Sequence, residues 1–93
     1  MKPVKQHDLK CWPEYFQAIV KGVKRFELRL NDRDFAVGDV LCLREYIPSE
    51  KRYTGSTTRV QITYMLTGSQ SINDLGSFGL SAQWAIMSIA PQY

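Results

Sequence analysis

Eight ionisable side chains are crowded into residues 24–39, and their types and spacing suit the binding of a phosphate or a nucleic-acid base. In the first part of this segment, charged residues alternate with three apolar ones. The alternation predicts a β-strand whose apolar residues turn into the core: Phe26, Leu28 and Leu30. Arg25, Glu27 and Arg29 then lie on the opposite face, where side chains two residues apart stand roughly 7 Å apart and can meet. Basic groups held by acidic partners are how proteins prepare sites for phosphate or base edges.

An alternative interpretation of this stretch is a solvated strand face whose charges offset one another. The crowding favours a site, because turns at residues 31–34 and 37–39 would fold the later charges back over the strand. Lys24 stands at the entrance of the strand, where the alternation does not yet assign it to a face.

Three further side chains are candidates for the same site. Arg33 follows the turn that ends the charged strand. Arg44 lies in an otherwise apolar strand, where an unpaired buried charge is costly, so it needs a partner, a cleft or an exposed face. Tyr53, in a basic hairpin, is the aromatic residue best suited to stack on a base, whereas Trp12 and Trp84 are predicted to pack in the core.

The elements that must position these residues are one helix and several strands. The apolar patterns predict strands over residues 4–10, 24–30, 40–46, 56–66 and 84–90. Pro13 in a first turn and Gly22 after the last predict a helix over residues 13–21. Its apolar stripe would consist of Trp12, Tyr15, Phe16, Ile19 and Val20. Residues 47–57 are predicted to form an exposed hairpin loop, and residues 67–83 a packed loop.

With 93 residues, of which 44% are hydrophobic, the chain suits one domain over residues 1–93. Several short strands with one early helix predict an α+β fold, in which a curled sheet or small barrel carries the helix against one end.

The overall charge and the cysteines limit the function classes. A formal charge of +3 agrees with an anionic partner but supports nucleic acid only weakly. Cys11 and Cys42 lie in apolar segments without metal-ligand spacing and without a hydrophobic leader, so we expect buried, reduced thiols in a cytoplasmic protein. We expect no metal and no cofactor. No apolar run approaches the roughly 20 residues that span a bilayer, so a membrane partner is not expected.

The charged segment also resembles a known family. Gly22, Lys24, Glu27 and Arg29 match the G-x-K-x-x-E-x-R pattern of ASCH domains, a branch of the PUA-like superfamily, and the Gly38-Asp39 pair matches the GD before the next strand of that family. Further stretches are similar to DUF3850, a small ASCH-like family of bacteria and phages: HDLKCWPEYF, KRFELRLNDRDFAVGDVLCLREY, YTG, ITYML and FGL. The likeness extends over most of the chain, and it says more about fold than about function.

The resemblance implies a small mixed β-barrel of the PUA-like, ASCH type, with a helix packed beside a charged cleft. In that family the cleft is thought to hold RNA or a nucleotide-like ligand. The family motif would place Lys24, Glu27 and Arg29 in that cleft. In the DUF3850 pattern His7 and Lys10 recur just before the helix, so the resemblance adds them as ligand-binding candidates. A packing role for His7 is the competing interpretation, because it is the only histidine of the chain.

Some ASCH relatives are amidohydrolases of acylated cytidines, and others have been proposed to cut RNA. If this protein were an enzyme, Lys24 and Glu27 would be its catalytic residues. Glu27 stands where the amidohydrolase branch has its catalytic Thr, and a carboxylate beside Lys24 favours the protonated ammonium, which works against its use as a base.

Three functions remain open from the sequence. The first is binding of RNA or a nucleotide-like ligand, with Lys24, Arg29 and Arg33 on phosphate or base and Glu27 orienting them. The second is a small hydrolase of a modified nucleoside, or a ribonuclease, that uses the same cleft. The third is a protein-interaction module of phage origin whose charged cleft is structural.

Overall fold

The computed structural model describes residues 3–68 and 83–92. Within them the chain forms one helix and five strands, in the order β1 (Gln6–Cys11), α1 (Pro13–Val20), β2 (Phe26–Leu30), β3 (Val40–Ile47), β4 (Arg52–Thr67) and β5 (Trp84–Pro91). The strands make one sheet in the order β1-β3-β4-β5-β2. β1 is parallel to β3, and the other neighbours are antiparallel. The sheet curls into a half-barrel with one short helix, the α+β arrangement that the sequence predicts.

Most of the predicted elements are present, and their ends agree with the structure to within about two residues. The hairpin loop predicted over residues 47–57 is wrong. β4 already begins at Arg52, which pairs with Ile47, so that only a tight turn over residues 48–51 separates the two strands. Lys51 in that turn takes a φ of 51°, which closes the hairpin early. Most of the loop predicted over residues 67–83 lies outside the described residues.

The core lies on the concave face of the half-barrel, between the sheet and α1. Its buried residues come from α1, from the segment before β3 and from every strand except β2: Leu9, Cys11, Phe16, Ile19, Phe35, Leu41, Leu43, Val60, Ile62, Ala85, Met87 and Ile89. α1 contributes only Phe16 and Ile19, one turn apart. The rest of the predicted helix stripe is a correction, because Trp12, Tyr15 and Val20 are 49%, 45% and 57% exposed. A helix of eight residues at one end of the sheet buries a single narrow stripe.

β2 has the predicted period of two but the opposite phase. Glu27 is buried at 3% exposure, while Phe26, Leu28 and Leu30 are each close to half exposed. The charged face of β2 therefore turns into the half-barrel, and the apolar face turns outward. β2 is an edge strand, so its outer apolar side chains gain lateral contact with β5, where Leu28 faces Ile86. Its inner face is free to carry charges into the cleft.

The end of α1 delivers the backbone to the charged residues. Gly22 has a φ of +78°, the left-handed conformation that ends helices, and nothing lies near its α-carbon on the side-chain side. The carbonyl of Ala18 accepts hydrogen bonds from the N–H groups of both Val23 and Lys24, each at 3.0 Å. Lys24 is thus fixed against the helix before β2 begins.

Asp39 ties the start of β1 to the turn before β3. Its Oδ1 accepts from the Lys5 N–H at 3.1 Å, and its Oδ2 accepts from the Ala36 N–H at 3.1 Å and contacts Nε2 of His7 at 2.9 Å. Burial alone would raise the pKa of Asp39, but the hydrogen bonds from His7 and the two backbone groups outweigh it and lower that pKa. His7 is itself buried and meets the Phe35 ring edge-on at 4.7 Å.

Both cysteines are free thiols, as the sequence predicts. Cys11 is buried, whereas Cys42 is only half-buried, which corrects the expectation of two buried thiols. Within residues 3–68 and 83–92, no helix is both long and apolar enough to cross a membrane.

Candidate ligand-binding cleft

A buried carboxylate with two cations forms the centre of the cleft. Glu27 Oε1 accepts from Lys24 Nζ at 2.7 Å, and Glu27 Oε2 accepts from Arg29 Nε at 2.7 Å. The Glu27 side chain is 5% exposed, while those of Lys24 and Arg29 are 16% and 26% exposed. Each oxygen of Glu27 therefore accepts one charge-assisted hydrogen bond, and the two cations stand between the carboxylate and the solvent.

Both cations keep N–H groups that no hydrogen bond among residues 3–68 and 83–92 uses. Lys24 Nζ donates to Glu27 and to the Phe26 carbonyl, at 2.8 Å for the carbonyl, which leaves one of its hydrogens. Arg29 donates through Nε to Glu27 and through Nη2 to the Lys10 carbonyl at 2.6 Å, which leaves Nη1 and one Nη2 hydrogen. These groups are fixed in direction by Glu27 and remain able to bind a ligand.

Two arginines bridge the open side of the half-barrel, where the edge strands β1 and β2 face each other. Arg29 reaches from β2 to the carbonyl of Lys10, and Arg33 Nη1 donates to the carbonyl of Asp8 at 2.8 Å. In a parallel strand pair, the backbone N–H and C=O groups of every second residue point towards the partner strand. In β1 these groups of Asp8 and Lys10 point away from β3, out of the open edge. Side chains thus satisfy a strand edge that none of the five described strands covers, and they mark the position of the cleft.

A first cavity of about 670 Å³ opens along this seam, between the start of α1 and β2. Its volume lies in the range of small-molecule sites. Among the described residues, it combines the Glu27 cluster with five aromatic side chains: Trp12, Tyr15, Phe26, Phe35 and Trp84. The rings of Trp12 and Tyr15 stack on each other, with centroids 6.2 Å apart and an interplanar angle of 21°.

The predicted packing role of the two tryptophans is wrong. Trp12 is 49% exposed and Trp84 is 37% exposed, and both line the first cavity. Trp12 immediately precedes Pro13, so it lies at the N-terminal end of the helix and not on its buried stripe. Trp84 starts β5 opposite Leu30, on the outward apolar face of that edge.

A second cavity of about 330 Å³ continues from the first on the outer face of β1 and β3. Lys10 and Arg44 are register partners on these strands, and their neighbours Cys11 and Glu45 point inward. Lys10 Nζ lies 4.4 Å from the centre of the Tyr46 ring, and Arg44 Cζ lies 4.1 Å from the centre of the Tyr53 ring.

Eight residues were predicted to form the site, and the structure brings seven of them to the two cavities. Lys24 and Glu27 line the first, and Arg44 and Tyr53 line the second. The remaining three, Lys10, Arg29 and Arg33, line both.

The eighth predicted residue, His7, does not join the cleft and lines neither cavity. Its buried contact with Asp39 gives it the packing role that was its alternative. Arg25 also stays outside, where its Nε donates to the Gly22 carbonyl at 2.9 Å.

Sequence reasoning missed the aromatic lining of the first cavity. Apolar periodicity scores Trp12 and Tyr15 as core positions, because it cannot see how much of a short helix the sheet covers. The available signal was the Trp12-Pro13 step, since a proline in the first helical turn places the residue before it outside the helix.

The cleft has few features of a catalytic centre. Both oxygens of Glu27 already accept charge-assisted hydrogen bonds from Lys24 and Arg29, which suits a carboxylate that orients the two cations. Burial, and secondly the negative charge of Glu27, raise the pKa of Cys11 to about 11, so the thiol in the cavity wall is not a thiolate nucleophile at neutral pH. Among the described residues, no group of three or more His, Cys, Asp or Glu side chains is arranged to hold a metal ion.

The chain is similar to one curated phage protein, the "Uncharacterized 12.9 kDa protein in GpA 3'region" of Escherichia phage P2. The two are 36% identical over 59 residues, which is 63% of this chain and 52% of the phage protein. The chain thus spans about half the length of the relative that it matches.

A family model matches a larger part of the chain. Its description is "Domain of unknown function (DUF3850)", and it covers residues 6–89, which include every strand edge, ion pair and aromatic ring that forms the cleft. The match extends from the first residue of β1 almost to the end of β5. The protein belongs to the DUF3850 family.

Proposed function

We propose that the cleft binds a nucleotide-like ligand, with single-stranded RNA as the ligand to test first. One observation carries the proposal: the first cavity holds exposed, stacked aromatic rings beside cations that Glu27 fixes in place. A nucleotide presents the matching groups, a flat base and an anionic phosphate, within one molecule.

The aromatic half of the proposal rests on exposure. A stacked Trp12–Tyr15 pair with nearly half of each residue exposed contributes little to the core. Exposed apolar area grouped in a cavity is a common mark of a binding site. Bases stack on such rings whatever their sequence, and each contact contributes about 1 to 3 kcal/mol in single-strand binders.

The cationic half rests on the fixed directions of the Lys24 and Arg29 donors. Hydrogen bonds to Glu27 and to backbone carbonyls hold both side chains in place, so their remaining N–H groups already point in fixed directions. Little side-chain entropy is therefore lost when a ligand binds. Glu27 acts as the orienting group, and Arg33 extends the positive edge along the seam. A phosphate or the edge of a base is the ligand chemistry that such donors suit best.

We further propose that the half-barrel is an ASCH-type domain of the PUA-like superfamily. Support comes from the contacts among the residues of the G-x-K-x-x-E-x-R pattern. Gly22 ends the helix, and Lys24 and Arg29 both bind Glu27. The three motif side chains thus form one cluster in the wall of the first cavity.

The test is a fluorescence anisotropy titration of a labelled single-stranded RNA of about ten nucleotides, within the range that small domains cover. Wild type is compared with Trp12→Ala and with Tyr64→Ala. Tyr64 is the matched control, because it is 63% exposed and lines neither cavity. Trp12 contributes its backbone carbonyl, not its side chain, to the Phe16 N–H, so the helix hydrogen bond survives the substitution.

We expect Trp12→Ala to weaken binding by about five- to one-hundredfold and Tyr64→Ala to leave it unchanged. Equal effects of the two substitutions would contradict a base site in the first cavity. Turnover of RNA or of an acylated nucleoside that Lys24→Ala abolishes in a folded protein would replace binding by catalysis. No affinity for RNA or nucleotides at moderate salt, with a protein partner recovered instead, would favour the interaction module.

A further inference from the structure

We infer that the second cavity is a phosphate subsite, so that the ligand of the cleft is a phosphorylated nucleotide and not a free base or a nucleoside. The inference rests on the proposed function, since it assigns the phosphate of the ligand whose base lies on the aromatic rings of the first cavity. Four observations on the second cavity support it.

The charge of the cavity is mainly positive. Among the described residues, its wall carries one carboxylate, that of Asp8, and four cationic side chains, of which Arg29 is already paired with Glu27: Lys10, Arg29, Arg33 and Arg44. These charges lie around one cavity of about 330 Å³, and a mainly positive groove attracts anionic ligands.

Two of these cations lie side by side without an acidic partner. Lys10 and Arg44 are register neighbours on parallel strands, and like charges in such positions repel. Within the described part of the chain, neither of them forms an ion pair with a carboxylate. An anion bound between them would relieve the repulsion.

Aromatic rings hold these two cations in place without consuming their donors. Lys10 lies over Tyr46 and Arg44 over Tyr53, and the two rings meet edge-on with centroids 5.0 Å apart. A guanidinium stacked on a ring keeps its N–H groups in the plane, where they can donate to the oxygens of an anion. The side chains are therefore ordered before a ligand arrives.

The other two cations approach from the β2 side of the seam. Arg29 and Arg33 are anchored to the carbonyls of Lys10 and Asp8, which lie two residues apart on one strand edge, roughly 7 Å. Two guanidinium groups at that spacing can each donate to a different oxygen of one phosphate, because charge-assisted hydrogen bonds span about 2.8 Å. A carboxylate has fewer oxygens with which to satisfy donors from two sides.

The two cavities adjoin each other. Lys10, Arg29 and Arg33 line both, and Arg29 also binds Glu27 in the first. The inferred ligand would therefore reach from the Trp12 and Tyr15 rings, past these shared cations, to the Lys10 and Arg44 pair. This order of groups, from a flat apolar surface to a cationic one, is the order of base, sugar and phosphate in a nucleotide.

The experiment compares each of the four ribonucleosides with its 5′-monophosphate, by calorimetry and by ¹H–¹⁵N spectra of the labelled protein. Inorganic phosphate alone serves as the probe of the second cavity. The variants are Arg44→Ala and Arg44→Gln, of which the second keeps most of the side-chain stem if the first folds poorly. Arg59→Gln is the matched control, since Arg59 is exposed, lies on β4 and lines neither cavity.

We expect the monophosphate that binds most tightly to exceed its nucleoside by about ten- to one-hundredfold. Arg44→Gln should reduce this ratio to near one, and Arg59→Gln should leave it unchanged. RNA with a 5′-phosphate that binds more tightly than RNA with a 5′-hydroxyl would assign the subsite to a terminal phosphate. If the two RNAs bind equally and Arg44→Gln still weakens their binding, the subsite would be assigned to a phosphodiester of the RNA backbone.

Failure of this inference is distinct from failure of the proposed function. Suppose that RNA binding depends on Trp12 but is unchanged in Arg44→Gln, and that nucleoside and monophosphate bind equally. This result would overturn the subsite and leave the proposed function intact. Inorganic phosphate that shifts the signals of Lys10 and Arg44, in a protein that binds no base, would support the subsite and contradict the proposed function. Phosphate that shifts none of these signals would overturn the subsite.

Discussion

Replacing Glu27 by Gln tests whether the charged cluster is a buried, stabilising unit. The substitution keeps the shape of the side chain and removes the charge that holds Lys24 and Arg29 at 2.7 Å each. Removing one partner of a buried ion pair costs about 3 to 5 kcal/mol. Lys24 and Arg29 remain 16% and 26% exposed and keep carbonyl partners, so water offsets part of the loss. We expect a loss of about 2 kcal/mol in the free energy of unfolding, roughly 10 °C in Tm.

The chain contains a matched control for this substitution. Glu50 and Arg52 form an ion pair of the same kind and the same spacing, from Oε1 to Nε at 2.6 Å, but their side chains are 57% and 53% exposed. Exposed pairs contribute little, so Glu50→Gln should cost less than about 0.5 kcal/mol. Urea unfolding followed by circular dichroism measures both variants, with an unchanged slope showing that the denatured state is unaltered. A Glu27→Gln protein that is no less stable than Glu50→Gln would refute the reasoning.

Three further predictions concern groups outside the cation cluster. Because the pKa of Asp39 is lowered on folding, its stabilisation is fully present above the unfolded value of 3.8 and is lost as pH falls through the folded pKa. Urea unfolding should therefore show a stability gap between wild type and Asp39→Asn at about pH 6 that narrows towards about pH 3, and a gap that does not change with pH would be contrary evidence. Cys11, whose pKa is raised to about 11 by burial and by Glu27, should react with iodoacetamide at pH 8 far more slowly than a free cysteine peptide. Mass spectrometry of a Cys42→Ser variant measures this rate, and rapid labelling of the folded protein would contradict it. Gly22→Ala forces a φ of +78° on a residue with a β-carbon and should cost about 1 to 2 kcal/mol by urea unfolding, although no neighbouring atom blocks the new methyl group.

The sequence predicts the elements of this fold better than it predicts their orientation. The alternation from Phe26 to Leu30 identifies β2 correctly, because a period of two belongs to the strand itself. Which face turns inward depends on the neighbours of the strand. β2 is an edge strand beside an open seam, and only the tertiary structure decides that Glu27, not Leu28, is buried there.

The candidate site shows the same division. The motif spacing correctly predicts that Lys24, Glu27 and Arg29 lie together, because residues so close in sequence cannot lie far apart in space. The contribution of β1 could not be predicted. Arg29 and Arg33 bind carbonyls 19 and 25 residues away along the chain, and such contacts arise from the curl of the sheet.

The role of His7 depended on a partner that lies far away in sequence. Asp39 stands 32 residues later, and its buried hydrogen bond removes His7 from the cleft. The sequence places Asp39 in a turn and in the Gly38-Asp39 pair, and neither position indicates a partner for its side chain. A turn aspartate whose side chain also accepts from the start of β1 has no signal in the local sequence.

The salt dependence of RNA binding, in wild type and in Arg33→Ala, tests the central claim most directly. Arg33 is exposed and holds only a carbonyl in the described structure, so its removal leaves no carboxylate unpaired. We predict that log affinity falls linearly with log salt concentration, and that Arg33→Ala makes the slope shallower by about 0.7, the contribution of one phosphate contact on a single strand. Arg59→Ala, outside both cavities, should keep the wild-type slope. A protein that binds no RNA at moderate salt, or one whose slope responds to Arg59 as strongly as to Arg33, would contradict a nucleotide-binding cleft at this seam.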